Sequence, residues 1–289
     1  MLNKEKIESV SQYLQWVKER HQVEQDGVSF DQSRIYYRGQ ADQDWDLVPG
    51  VFRKKDNGNY YNEKVLLQQA RKDAWQEIKG CRSELEELVL YQHMGLKTRL
   101  LDTTSNPLVA LFMACCESNN TSGCVYVFYP RNDTDFKYAE LMAKATFHLT
   151  ADIIDDHVLQ QFADSQSTVP NIDELKVVLS KPAFIEVPLS NPRITAQRGA
   201  FIIAPVLRQV GGSWKRQVHC DMDYRTQEDS GLDEHCALIP CHKKSEIMND
   251  LAELGIDEST LFPDLPHIME AINKGRYDKS LCKDCRLDL

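Results

Sequence analysis

The stretch Gln92-His93-Met94-Gly95-Leu96-Lys97-Thr98-Arg99-Leu100-Leu101-Asp102-Thr103-Thr104-Ser105-Asn106-Pro107 runs straight into Leu108, Leu111, Phe112, Cys115 and Cys116. The apolar positions recur at i, i+3, i+4, i+7 and i+8, one face of a buried helix. Asn106 is placed to cap that helix, and Pro107 stands at its first position, where a missing N–H costs nothing. The residues before it form a polar connector. Polar groups held against a core are costly unless they are paired, so such a connector has a task. Within it Arg99 and Asp102 are expected to brace each other as a buried ion pair. Thr103, Thr104 and Ser105 are expected to place hydroxyls at a helix N-terminus, a ready anion site.

Outward from this stretch, the preceding helix spans about Ser83 to Gln92. Ser83 is its N-cap, Glu86 completes a capping box, and Gly95 closes it. Ile7, Val10, Tyr13, Leu14 and Val17 predict an opening amphipathic helix that ends by Gly27. Residues 62 to 79 read as one helix with a face of Val65, Leu66, Gln69, Trp75 and Ile78. Helix is also expected over most of 136 to 163, at Glu174 to Leu179, Lys244 to Leu254 and Leu265 to Ile272. Strands are expected at Arg34 to Arg38, Gly123 to Tyr129, Ala183 to Val187, Ala200 to Ala204 and His235 to Ile239. Gly39 to Asp42 reads as a turn, Trp45 to Pro49 as a short extended piece, and Gly211-Gly212 as a flexible loop. Helices early and late with strands between them give α+β rather than a regular βαβ array.

Composition sets the outer bounds. At 289 residues, 42% apolar and 27% charged, the chain suits a globular protein with a sizeable core. It reads as one domain over 1 to 289, with a core at about 30 to 265 and a helical tail over 265 to 289. No apolar run approaches the roughly 20 residues that span a bilayer, and no signal-like core follows Met1. A cytoplasmic protein without a membrane partner is expected. Its nine cysteines then read as reduced thiols, with Cys115, Cys116, Cys124 and Cys236 in the core. Cys282-x-x-Cys285 has only Cys220, Cys236, Cys241 or His242 as companions for zinc. It reads as an incidental polar tail, with no metal site. A net charge of −10 repels nucleic acid and anionic membranes. Lys97 with Arg99, and Arg198, Arg208, Lys215 and Arg216, are the candidate basic patches, otherwise salt-bridged surface.

Two further segments carry possible chemistry. In Tyr36-Tyr37-Arg38-Gly39-Gln40 an arginine at a strand end can aim at a phosphate or ribose, while the glycine admits a ligand to the backbone. In Arg193-Ile194-Thr195-Ala196-Gln197-Arg198-Gly199-Ala200-Phe201 a polar turn leads into an apolar strand. Structural readings stand beside both: a salt-bridged arginine and a plain hairpin turn.

Taken together, these motifs resemble FRG-domain proteins. The matching residues are Tyr37-Arg38-Gly39-Gln40, Gln92 to Asp102, Asn106 to Phe112, Gln197 to Phe201, Gly255-Ile256 and Thr260 to Leu265, spanning about 35 to 265. Thr103 departs from the pattern, which usually has an aromatic there. The order of motifs also resembles, more distantly, the ADP-ribosyltransferases. That resemblance implies a split, mixed and largely antiparallel sheet with helices at both ends, and NAD as substrate. It implies catalytic roles for Arg38, Gln197 and Asp102. It implies NAD contacts from Tyr37, Arg38, Gly39, Gln40, His93, Arg99, Thr103, Thr104 and Ser105. Gln197 stands where such enzymes carry a glutamate, so Asp102 or Glu186 is the alternative acid. The implied activity is a toxin or anti-phage defence effector that modifies a protein, RNA or DNA acceptor and is restrained by an antitoxin or chaperone. A non-catalytic nucleotide-binding module is the alternative. A nuclease or other hydrolase using His93 and Asp102 is a third reading.

Overall fold

The computed structural model describes residues 2–22, 34–116, 120–130, 138–166, 171–186, 192–218, 223–225 and 232–263. In chain order its strands are β1 (Asn3–Lys6), β2 (Tyr36–Gln40), β3 (Leu100–Thr104), β4 (Gly123–Phe128), β5 (Ala183–Ile185), β6 (Gly199–Ile203), β7 (Leu207–Val210), β8 (Ser213–Arg216) and β9 (Leu232–Ile239). The helices are α1 (Val10–Arg20), α2 (Glu63–Asp73), α3 (Trp75–Ile78), α4 (Glu84–His93), α5 (Pro107–Cys115), α6 (Ala139–His148), α7 (Asp156–Asp164), α8 (Ile172–Leu179), α9 (Pro192–Ala196), α10 (Lys244–Glu253) and α11 (Glu258–Leu261). This is an α+β fold. Seven strands form one mixed sheet in the order β1-β9-β4-β2-β3-β6-β5, and β7-β8 is a separate hairpin. Only β1 with β9 is parallel; the other neighbours in the sheet are antiparallel.

The sheet is pinched at its middle. β2 pairs with β4 over five residues, and β3 pairs with β6 over five. Between β2 and β3 the ladder is the single pair Tyr37–Thr104. The cores follow the same division. On one face Tyr37, Val125, Val127 and Ile239 pack against α1, α5 and α10. Beyond the pinch on that face, Leu100, Phe201 and Ile203 pack against α4, α6, α7 and α8. The opposite face is continuous, with Tyr36, Leu101, Tyr126 and Ile202 covered by Leu47, Val48, Val51 and Phe52.

The polar connector is a central strand. β3 is buried at Leu100, Leu101, Thr103 and Thr104 and exposed only at Asp102. A strand covered on both faces loses the alternation that marks half-buried strands. Arg99, immediately before β3, and Asp102 are three apart along the extended chain, so they point to opposite faces and form no pair. Arg99 is instead fully buried. Its Nε donates to Glu63 Oε1 at 2.9 Å and its Nη2 to Glu63 Oε2. Arg216 Nη2 reaches the same Oε2 at 2.7 Å, and Arg99 Nη1 donates to Pro205 O at 2.6 Å. Arg99 and Arg216 are therefore an internal knot tying α2, β3 and β8, and they belong to no surface patch.

Helix α5 starts as expected, with Asn106 Oδ1 accepting from Leu108 N at 3.0 Å. It is buried nearly all round, at Val109, Ala110, Leu111, Phe112, Ala114 and Cys115, while Leu108 is half-buried and Cys116 is exposed. Its flank lies on bare strand backbone. A Cβ on Gly39 would sit 1.9 Å from Ala110 O, and one on Gly123 would sit 2.1 Å from Ala114 O. Gly39 is thus required for helix packing, and β2 continues through Gly39 and Gln40 where a turn was expected.

Elsewhere the differences are local. The expected helix over 62 to 79 breaks at Ala74, and it buries Glu63, Leu67 and Ile78 while Val65 and Trp75 are exposed. Ser83 caps α4 through Glu86 N, but Glu86 accepts from Arg82 N at 2.7 Å rather than closing the box. Gly95 (φ 92°) ends α4, with Leu96 N donating to Tyr91 O and Gly95 N to Gln92 O, a Schellman closure. Gly211 and Gly212, both with positive φ, form the tight two-residue turn of the β7-β8 hairpin. Gly27, the expected 265 to 272 helix, the 265 to 289 tail, Cys220, Cys282 and Cys285 lie outside the described residues. No helix of the described residues is long and apolar enough to cross a membrane.

Candidate functional site

A cleft of about 430 Å³ opens where the sheet is pinched, between β2, β3, the flank of α5 and the segment leading into β6. Continuing the β2-β3 register past Tyr37–Thr104 would set Arg38 opposite Thr103 and Gly39 opposite Asp102. The ladder stops there, and the Arg38 side chain takes over. Its Nη1 donates to Asp102 O at 2.5 Å and lies 3.8 Å from Asp102 Oδ2. The guanidinium is nearly buried. Burial pushes its pKa down to about 10, against the opposing pull of Asp102, so it keeps its charge at neutral pH.

Arg38, Gln40, Asp102, Thr103, Thr104 and Gln197 line this cleft, joined by Trp45, Arg53, Gln92, Met113, Cys116, Arg193 and Phe262. Tyr37 and Gly39 contribute to the wall from the strand itself. The Tyr37 ring packs in the core on the α5 side, with its hydroxyl 2.9 Å from His21 Nε2. Asp102 is held by Gln92, whose Nε2 donates to both carboxylate oxygens at 3.1 and 3.0 Å. Thr98 Oγ1 donates to Gln92 Oε1 at 2.7 Å and so fixes that amide. Arg53 is anchored through Nε and Nη2 to Val48 O, and the Arg193 guanidinium stacks 4.7 Å from the Phe262 ring.

Among the described lining residues, three arginines stand against one carboxylate, a cationic wall in a protein of net charge −10. Such a recess concentrates field lines and favours an anionic ligand. Three buried polar atoms of the lining residues, Arg38 Nε, Gln40 Oε1 and Thr103 Oγ1, lack a hydrogen-bond partner among the described residues. Buried polar atoms left unpaired are rare and costly, and these three belong to residues that line one cleft.

Several expected site residues lie elsewhere. Arg99 is in the knot with Glu63 on the far side of β3. Ser105 is exposed, and its hydroxyl and backbone N–H face Arg198 O rather than the cleft. Glu186 is exposed and accepts from Tyr36 OH at 2.5 Å, away from the cleft. The α5 N-terminus is closed by Asn106, and Thr104 Oγ1 accepts from Asn106 N at 3.0 Å. The cleft therefore runs along the helix flank, past Val109, Ala110 and Met113, and does not open on the capped N–H groups at Asn106 and Leu108. His93 lines a smaller hollow of about 160 Å³ on the other side of Asp102. Gln92, Asp102, Arg193 and Gln197 border both spaces.

Gln197 precedes β6 rather than lying on it. Its Nε2 donates to Leu261 O at 3.1 Å, and its backbone O accepts from Thr104 Oγ1 at 2.6 Å. Among the described residues lining the main cleft, Asp102 is the only carboxylate. No group of three or more His, Cys, Asp or Glu side chains among the described residues is placed to hold a metal ion.

The family model described as FRG domain matches residues 33–123. The FRG match thus covers β2, β3, α5 and the cleft walls that they form. It ends before Arg193, Gln197 and Phe262, which close the cleft from the C-terminal side. No curated protein and no solved structure gives a significant match to the chain.

Proposed function

We propose that the cleft binds NAD and that the protein is an ADP-ribosyltransferase, acting as a toxin or defence effector on a protein or nucleic-acid acceptor. The observation that carries this reading is Arg38 at the pinch. A buried, charged guanidinium reaches Asp102 O with Nη1, and its Nε has no partner among the described residues, on the wall of a cleft lined by two further arginines. Arginine pairs with phosphate oxygens in fixed bidentate geometry. Arg38 and Arg53 would hold the diphosphate. Thr103 would hydrogen-bond the ligand through its unpaired hydroxyl. Asp102, at the border of both hollows, would face the ribose as positive charge develops at its anomeric carbon.

Incubation with nicotinamide-labelled NAD, alone and with protein, RNA or DNA acceptors, tests the proposal. Nicotinamide release that disappears in Arg38→Ala supports it. A folded protein that releases none under any of these conditions defeats it.

Gln197 favours a second reading, a nucleotide-binding module without turnover. Its amide is neutral and is engaged with Leu261 O. Stabilisation by NAD or ADP-ribose without nicotinamide release would distinguish this reading.

A further inference from the structure

The cleft runs along β2, from Thr104 and Gln197 beside Tyr37 at one end to Ala41 and Trp45 at the other. Four residues of strand make that about 13 Å. At the far end stands Trp45, an indole 43% exposed. Its loop is firmly held. Trp45 N donates to Asp42 O at 3.3 Å, and Asp44 N to Asp42 Oδ1 at 2.9 Å. Gln43 N donates to Ser122 O at 2.8 Å, and the buried Lys244 Nζ to Ala41 O at 2.6 Å. A large aromatic surface left in water on a pinned loop is a preformed platform, since a ligand would pay little to order it.

Beside it lies Gln40, 2% exposed. Its Nε2 donates to Asp46 O at 3.2 Å. A carbonyl only accepts, so this bond fixes which end of the amide is nitrogen. Gln40 Oε1 is then an oriented, buried acceptor with no partner among the described residues, on a residue that lines the cleft next to the Trp45 loop.

We infer that Trp45 and Gln40 form a base subsite: Trp45 stacks on a planar purine, and Gln40 Oε1 accepts a hydrogen bond from an exocyclic amine. The subsite selects adenine over hypoxanthine, because adenine carries a donor N6 amine and hypoxanthine an acceptor oxygen. It rests on the reading of the cleft as a nucleotide site and specifies which end of the nucleotide lies where.

The test is titration of the full chain with ADP, inosine diphosphate and inorganic pyrophosphate, followed by tryptophan fluorescence and calorimetry. ADP should bind at least about tenfold more tightly than pyrophosphate, the scale of one base–aromatic stack. It should quench fluorescence in the wild type but not in Trp45→Ala, and inosine diphosphate should bind more weakly than ADP. Trp45→Ala should bind ADP no better than pyrophosphate while keeping its thermal midpoint, and Trp45→Phe should restore most of the difference. If ADP and pyrophosphate bind equally, or Trp45→Ala binds ADP like the wild type, the base subsite is wrong even where NAD turnover persists. If neither anion binds, the nucleotide reading of the cleft falls and the subsite with it.

Discussion

Tyr37 and Thr104 form the one residue pair that joins β2 to β3, and immediately beyond it Arg38 Nη1 occupies Asp102 O at 2.5 Å. A side chain replaces the ladder hydrogen bond at that position. The sheet stays joined through that contact, while the gap beyond becomes a cleft with a positive charge in its wall.

Arg38→Lys is expected to lower nicotinamide release by about 100-fold or more, the scale for loss of an oriented electrostatic contact. Lysine keeps the charge but cannot reach Asp102 O and a ligand together through a planar fork. Steady-state kinetics with NAD check this, and near wild-type turnover would remove Arg38 from the chemistry.

Gly39→Ala is expected to destabilise the fold by on the order of 3 kcal/mol, because its Cβ would meet the Ala110 carbonyl, which is helix backbone and cannot step aside. Urea denaturation measures the loss. Gly80→Ala, with nothing within 4 Å of the added carbon, serves as the control and should change little.

Glu63→Gln is expected to cost about 3–5 kcal/mol by leaving Arg99 and Arg216 without their buried carboxylate. Burial by itself pushes the Glu63 carboxyl up, but the charges and hydrogen bonds of Arg99 and Arg216 outweigh it and hold the pKa below the ordinary value of 4.5. A depressed folded value means that this stability is fully present above the unfolded pKa and is lost as pH falls through the folded one. Acid titration of the wild type should therefore show a loss of stability below about pH 4.5 that Glu63→Gln lacks.

Gln197→Glu separates the two readings of the cleft. A carboxylate there loses the bond to Leu261 O, costing about 1 kcal/mol, and adds a second negative charge beside Asp102. Under the transferase reading nicotinamide release should rise by roughly tenfold, a gain of about 1.4 kcal/mol in transition-state stabilisation. Unchanged, absent turnover with intact nucleotide binding would favour the binding module.

Local chemistry was legible wherever it depends on neighbours in sequence. Asn106 and Pro107 announce the start of α5, Ser83 caps α4, and Gly95 closes it. Pairing across the sheet was not. Arg99 and Asp102 read as partners because they are close in the chain, but a strand sends them to opposite faces, and the true partner, Glu63, lies on α2. Arg38, Asp102 and Gln197 line one cleft, and Arg99 does not. Trp45, Arg53 and Phe262 were missed as lining residues. Trp45 looked like part of an extended piece, Arg53 carried no motif, and only folding brings Phe262 against Arg193. The sequence alone suggests that Gly39 makes room for a ligand. Gly39 instead makes room for α5, a contact with a helix some 70 residues further along the chain.

The bare backbone under α5 divides the cleft into parts with unequal freedom. Its floor, at Gly39, has no slack for even one added carbon. Its rims are the loop from Asp42 to Trp45 on one side and helix α9 with the following Gln197 on the other. A change in what this cleft recognises would therefore have to be written in the rims, with the floor kept as it is.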